Sequence, residues 1–238
     1  MNITYNGDTP EDYGAWLANK PVITHSKIKR KTTDIPGHDG LLYSTEEYRD
    51  NAQIDILLHM KNSTWMKNIR EVRRWISQVG ILTTTETDDS FYEVVAVDLT
   101  EETRPAEDYG RLKAAMTIYP YEFLNSGNLA ISNPETIQND YDKCQPLYHI
   151  AGTGSGTLII LKGQDVAGSL SFTVPSSSGH LYIDTRRMIA TALLNSDVSV
   201  DSKVQGDYEK FRLEHGLYSV DITDGFTLEV TPRWGYYV

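Results

Sequence analysis

Apolar and polar positions alternate with a period of two along most of this chain, and one stretch alone takes a helical period. In 53-QIDILLHM-60, Ile54, Ile56 and Leu58 alternate with Asp55 and His59, which predicts a half-buried strand. The segment 81-ILTTTETDDSFYEVVAVDL-99 is rich in β-branched and aromatic residues around Asp88, Asp89 and Ser90 and reads as a hairpin. A further strand is predicted at 112-LKAAMTIYPYEF-123, where Pro120 cannot donate to a ladder and so belongs at a strand end or an edge. The exception is 64-TWMKNIREVRRWISQ-78. Trp65, Ile69, Val72 and Ile76 share one helical face there, with Met66 and Trp75 flanking it. Asn62 or Ser63 is placed to cap this helix, and Gly80 lies where a left-handed residue would end it. Its other face is basic, with Lys67, Arg70, Arg73 and Arg74, and reads as a solvated face or one turned to an acidic neighbour.

Beyond Pro120 the pattern changes. Residues 124–146 are polar and rich in turn formers, the best candidate for a domain boundary. After them come short β-favouring runs at the spacing of a β-sandwich: 157-TLIILKG-163, 169-SLSFTVP-175, 180-HLYIDT-185, 216-GLYSVDI-222 and 226-FTLEVTPRW-234. The segment 186-RRMIATALLNSD-197 fits a helical turn or a strand pair about Asn195, and strand is the better reading.

The chain has 238 residues, enough for one large domain or two small ones. A net charge of −11 disfavours stable binding to nucleic-acid backbones. No stretch approaches the roughly 20 apolar residues that span a bilayer, and the first residues have neither the basic start nor the apolar run of a signal peptide. The expectation is a soluble protein without a membrane partner. Without a secretion signal, the sequons Asn2-Ile3-Thr4 and Asn62-Ser63-Thr64 read as chance. Cys144 is the single cysteine, so the chain suits a reducing compartment and cannot build a multi-cysteine zinc site.

Candidate chemistry is thin. In 150-IAGTGSGTLIIL-161 the glycine spacing is G-x-G-x-G, and the residues after Gly156 are β-favouring, whereas a dinucleotide fingerprint needs G-x-G-x-x-G before a helix. The glycines read as a connection between two strands, and Ser155 within it lacks the strand-to-helix turn of a nucleophile elbow. None of the six histidines falls in a metal-ligand spacing. Lys143 could lower the pKa of Cys144, but no base is near in sequence. Asp197, Asp201 and Asp207 match no calcium loop, and the pair Glu101-Glu102 is ordinary in an acidic protein. No catalytic residue, metal site or cofactor is expected.

A set of features in order does point to a family. They are the 35-IPGHDGLLYS-44 turn, Tyr48-Arg49, 54-IDILLHM-60, the helix end 71-EVRRWIS-77, Ile81-Leu82, 92-YEVVAVDL-99 and 119-YPYEF-123. They continue with Gly127-Asn128, Gln145-Pro146-Leu147, a hairpin at 150-IAGTGSGTLII-160, 181-LYIDT-185 and 228-LEVTPRWGYYV-238. In their order and spacing the chain resembles the distal tail proteins of long-tailed siphophages. The final Tyr236-Tyr237-Val238 and the 195–207 loop have no counterpart in that pattern.

The resemblance implies a mainly β fold of two domains. Residues 1–125 would be a β-sandwich with one α-helix and an extended hairpin, and 126–238 a galectin-like β-sandwich. It implies a structural virion protein rather than an enzyme. Made in the bacterial host cytoplasm, it would form a homohexameric ring that joins the tail tube protein to the tail-associated tip protein around a DNA channel. The second domain would carry a receptor-binding protein or meet a host saccharide.

Two sets of site residues are expected. Pro36, Gly37, Asp39 and Gly40 make a tight turn whose neighbours Leu41 and Leu42 need a surface to cover them, so these six residues are the expected subunit interface. Trp234, Tyr236 and Tyr237 could stack on a sugar, which would make the chain a carbohydrate-binding adhesin module instead, although core packing of Trp234 is the more ordinary role.

Overall fold

The computed structural model describes every residue except 1, 35, 37, 38, 40 and 105–108, with backbone alone for 41–47, 62, 64, 87 and 88. The chain forms two compact units, residues 1–122 with 237–238, and residues 123–236.

The first unit contains β1 (Ile3–Tyr5), β2 (Ala15–Leu17), β3 (Val22–Thr24), β4 (Ile28–Asp34), β5 (Leu41–Arg49), β6 (Ala52–Lys61), the helix α1 (Asn62–Ile76), β7 (Gly80–Thr84), β8 (Thr87–Thr103) and most of β9 (Tyr109–Leu124). The second contains β10 (Ile131–Ser132), β11 (Thr136–Asn139), β12 (Leu147–Ala151), β13 (Gly154–Lys162), β14 (Asp165–Val174), β15 (His180–Asp184), β16 (Ile189–Thr191), β17 (Val204–Gly206), β18 (Gly216–Ile222) and β19 (Thr227–Thr231). The last strand, β20 (Gly235–Tyr237), pairs with β9 and returns the chain to the first unit.

In the first unit the order β1-β7-β8-β9-β6-β2, with β3 also on β6, makes one eight-stranded sheet together with β20. The alternation at 53–60 becomes β6, paired antiparallel with β9 from Ala52↔Ile118 to Lys61↔Tyr109. Ala52, Ile54, Ile56, Leu58 and Met60 face the core from one strand, and Leu112, Ala114, Met116 and Ile118 from the other. Against them lies the apolar face of α1: Trp65, Ile69, Val72, Trp75 and Ile76 are all buried. Full burial of each such side chain stabilises by about 1.5–3 kcal/mol. Trp75 is anchored further, its Nε1–H donating to the Tyr5 carbonyl at 2.9 Å and its ring stacked on Tyr13 at 4.9 Å. Met66, expected beside the apolar face, is exposed. Pro120 lies past the last β6 pair, and its carbonyl accepts from the Val238 N–H at 3.1 Å.

Three local expectations are corrected. The helix begins two residues early, at Asn62, with Lys61 in the N-cap position, so Asn62 and Ser63 lie within the helix and not at its cap. The hairpin turn between β7 and β8 falls at Thr85–Glu86, and Asp88, Asp89 and Ser90 are already within β8. Gly80 does not end the helix. It opens β7 at φ 156°, and a Cβ there would lie 1.8 Å from Oδ1 of Asn6. That oxygen accepts the Ile81 N–H at 2.9 Å, so the glycine makes room for a side-chain bridge from the β1 end to β7.

The second unit is a sandwich of two five-stranded antiparallel sheets, β10-β19-β12-β15-β16 and β11-β18-β13-β14-β17. Tyr148, Ile150, Leu181, Ile183, Leu228 and Val230 from the first share one core with Leu158, Ile160, Leu170, Phe172 and Tyr218 from the second. The 150–160 segment is therefore no hairpin: β12 and β13 belong to opposite sheets, and the glycines carry the chain across. For Gly152 and Gly156 the reason is Phe226. A Cβ on Gly152 would approach its ring to 2.6 Å, and one on Gly156 to 2.9 Å. In the ambiguous 186–197 segment, residues 189–191 form β16 and the rest is turn, bend or irregular.

Candidate assembly interface

Among the described residues, the ribbon of β4 and β5 contributes no side chain to the core of its unit. Its backbone register runs from Ile28↔Arg49 at the base to Asp34↔Leu41 at the far end, with an irregularity between Ile28 and Arg30. Among the described residues it pairs with no other strand. Six of the seven β4 residues are exposed. A two-stranded ribbon is marginally stable alone, and an edge strand is a ready template for pairing with another chain.

Its base is held firmly. Asp50 N–H donates to the Lys27 carbonyl at 2.8 Å. The Arg49 guanidinium lies 3.9 Å above the Tyr237 ring, which also packs on Tyr121 at 4.9 Å. Ser26 N–H and Oγ both donate to the Val238 carbonyl, at 2.8 Å and 2.5 Å. The ribbon is thus a fixed projection rather than a loose loop at its root.

Of the six residues expected at the interface, Pro36 and Asp39 are exposed near the tip. Gly37 and Gly40 lie outside the described residues, as do the side chains of Leu41 and Leu42, whose backbones pair with Asp34 and Thr33. Reading for turns overlooked the run Lys29-Arg30-Lys31 on β4, three exposed basic residues in a chain of net charge −11. The signal was visible as 27-KIKRK-31. Elsewhere in the first unit, Val79, Ile81, Val95 and Leu99 are exposed on and beside β7 and β8. The basic helix face is partly committed: Arg73 meets the Glu102 carboxylate with two nitrogens, Nε at 2.7 Å.

The three aromatic residues considered for sugar stacking do different things. Trp234 packs against the sandwich core, Tyr236 is exposed with Tyr141 edge-on at 5.3 Å, and Tyr237 is sandwiched in the first unit as above. Cys144 is buried, and burial pushes its thiol up to about 12, opposite to the effect expected from Lys143. The three loop aspartates have separate tasks. Asp197 pairs with Arg187, Asp207 accepts the Glu209 N–H at 2.9 Å, and Asp201 gathers the Ala190 N–H, Ser199 and Tyr208.

The comparison that decides the fold is structural. Over 96% of this chain and 97% of the other, the structure superposes with a TM-score of 0.70 on the crystal structure of the SPP1 Dit protein, at 12% sequence identity. The chain has the Dit fold. SPP1 Dit is described as a paradigm of the hub adsorption apparatus in phages that infect Gram-positive hosts. No protein-family model and no curated protein matches the sequence. The chain is mainly β, with one α-helix among the described residues, and no helix among them is long and apolar enough to cross a membrane.

Proposed function

We propose that this chain is a structural hub protein of the distal tail of a long-tailed phage, without enzymatic activity. The observation that carries the reading is the superposition on SPP1 Dit across both units. Six copies would close a ring that joins the tail tube to the tip and leaves a channel for DNA. The first unit would make the ring, with the β4–β5 ribbon laid on the neighbouring copy. An exposed basic strand on an acidic protein suits a head-to-tail contact between identical subunits, because each ribbon finds its complement on the next copy. The five-on-five sandwich of the second unit would be the galectin-like module facing outward, where it meets a receptor-binding protein or the host surface.

Native mass spectrometry with negative-stain microscopy of the full chain tests this. A closed six-subunit ring is expected. A monomer that binds glycans in the same preparation would replace the hub by the adhesin reading.

A further inference from the structure

Four side chains meet on the outer face of the sheet β10-β19-β12-β15-β16. His149 on β12 is opposite Tyr182 on β15 and Glu229 on β19, and Ala151, two residues along, is opposite His180. Their strand neighbours Tyr148, Ile150, Leu181, Leu228 and Val230 point into the core, so this group points outward. His149 Nδ1 is 3.0 Å from Glu229 Oε2, and His149 Nε2 is 3.1 Å from His180 Nδ1. The His149 ring lies flat on Tyr182, 4.3 Å between centroids and 5° between planes. His180 is tied at its backbone: its N–H donates to Ser178 Oγ at 3.2 Å, and its carbonyl accepts from the same hydroxyl at 2.9 Å.

The chemistry rests on which atoms can donate. An ionised carboxylate only accepts, so the proton between Glu229 and His149 sits on His149 Nδ1. That leaves the Nε2 lone pair of a neutral His149 directed at His180. A carboxylate behind an imidazole is the usual outer support of a metal-ligating histidine, because it fixes the tautomer and raises the basicity of the far nitrogen. Two imidazole nitrogens bound to one ion at about 2.0–2.1 Å each, on right-angled or tetrahedral positions, stand about 2.9–3.4 Å apart. The observed 3.1 Å falls in that interval.

We propose that His149 Nε2 and His180 Nδ1 bind one divalent transition-metal ion of the zinc, nickel or copper class, with Glu229 as a positioning residue behind His149. Imidazole ligands select that class over magnesium or calcium. Among the described residues no three His, Cys, Asp or Glu side chains form a cage, so water completes the coordination and the site is a surface one, not a structural core. Binding moves the His180 proton from Nδ1 to Nε2 and turns the two rings so that the nitrogens, hydrogen-bonded to each other in the free protein, both aim at the ion. The proposal is independent of ring formation.

The test is calorimetric titration of the untagged full chain with zinc chloride at neutral pH, with copper(II) and its electron paramagnetic resonance spectrum as a second probe. One ion per chain is expected, in the micromolar range, with hyperfine coupling to two nitrogens for copper. His180→Ala should weaken zinc at least about tenfold, and Glu229→Gln by about tenfold with the stoichiometry kept. His180 and Glu229 are exposed and His149 is partly covered, and circular dichroism would show that the variants fold. Absence of saturable binding up to millimolar zinc would overturn the proposal. So would unchanged binding in His149→Ala and His180→Ala, which would place the ion on another surface histidine.

Discussion

Arg233 holds Asp184 with two parallel hydrogen bonds, Nη1 to Oδ1 at 2.8 Å and Nη2 to Oδ2 at 3.1 Å, and both side chains are largely buried at 18% and 13% exposure. The pair ties the approach to β20 to the end of β15 within the sandwich. Burial pushes the Asp184 carboxyl up, but the bonds and charge of Arg233, with the Arg186 and Arg187 N–H groups, outweigh it and hold the group below the usual carboxylate range.

Asp184→Asn should therefore destabilise the sandwich by about 3 kcal/mol at neutral pH, because it strands a buried guanidinium. The sign of the pH dependence comes from the lowered folded pKa. The contribution is complete above the unfolded value of about 3.9 and disappears as the pH falls through the folded one. Urea unfolding at neutral pH and in acid should show the difference between wild type and variant shrinking on acidification. A deficit that is constant through the acid range would assign the loss to something other than this charge.

Gly110 on β9 is the seat of Trp65 from the helix. A methyl there would stand 2.3 Å from the Trp65 ring, which is 4% exposed. Gly110→Ala should cost about 1–3 kcal/mol by overpacking, read as a lower thermal midpoint. A variant as stable as wild type would mean that the helix can shift outward, in contradiction to its close packing on β6 and β9.

The two-unit β architecture and the helix face could be read from the sequence because each depends on a local period: 53–60 alternates and 65–76 recurs by turns. What could not be read depends on pairing between distant residues. Gly80 looked like a helix stop, yet its requirement comes from Asn6, which only the β1–β7 ladder brings near. The glycines at 152–156 looked like a loop for a ligand or a hairpin, yet Phe226, beside Gly152 through the β12–β19 register and facing Gly156 from the other sheet, dictates two of them. His149 and His180 are 31 positions apart and meet only through the β12–β15 register. At the ribbon the tip was conspicuous in sequence, as proline and glycine always are, while the basic strand leading to it passed unnoticed.

Cys144 offers a simple reporter. Its thiol is 1% exposed and held neutral by burial, with a pKa pushed up to about 12. The native protein should leave it unmodified by a thiol-specific reagent at mildly alkaline pH, where a free thiol of pKa about 8.5 reacts readily. Addition of denaturant should release one reactive group per chain, at the same concentration that unfolds the sandwich. Rapid labelling without denaturant would contradict its position in the core.

The last prediction concerns the ribbon. Lys29, Arg30 and Lys31 are exposed on a strand that no other strand of the same chain, β5 apart, covers among the described residues. Lys29 pairs with Asp50 at 3.8 Å, a solvated pair worth little to the fold. Reversing the three charges to glutamate should leave the thermal midpoint of the isolated chain nearly unchanged. If the ribbon lies on an acidic neighbour, the same reversal should loosen the assembly at least about tenfold in dissociation constant, since like charges across an interface are strongly unfavourable. Raised salt should narrow the gap between wild type and variant by screening. Light scattering across a dilution series measures both effects. Equal assembly of the two proteins would place the contact elsewhere, on the exposed Val79, Ile81, Val95 and Leu99 of the β7–β8 side. A wild-type chain that never assembles would instead count against the hub itself.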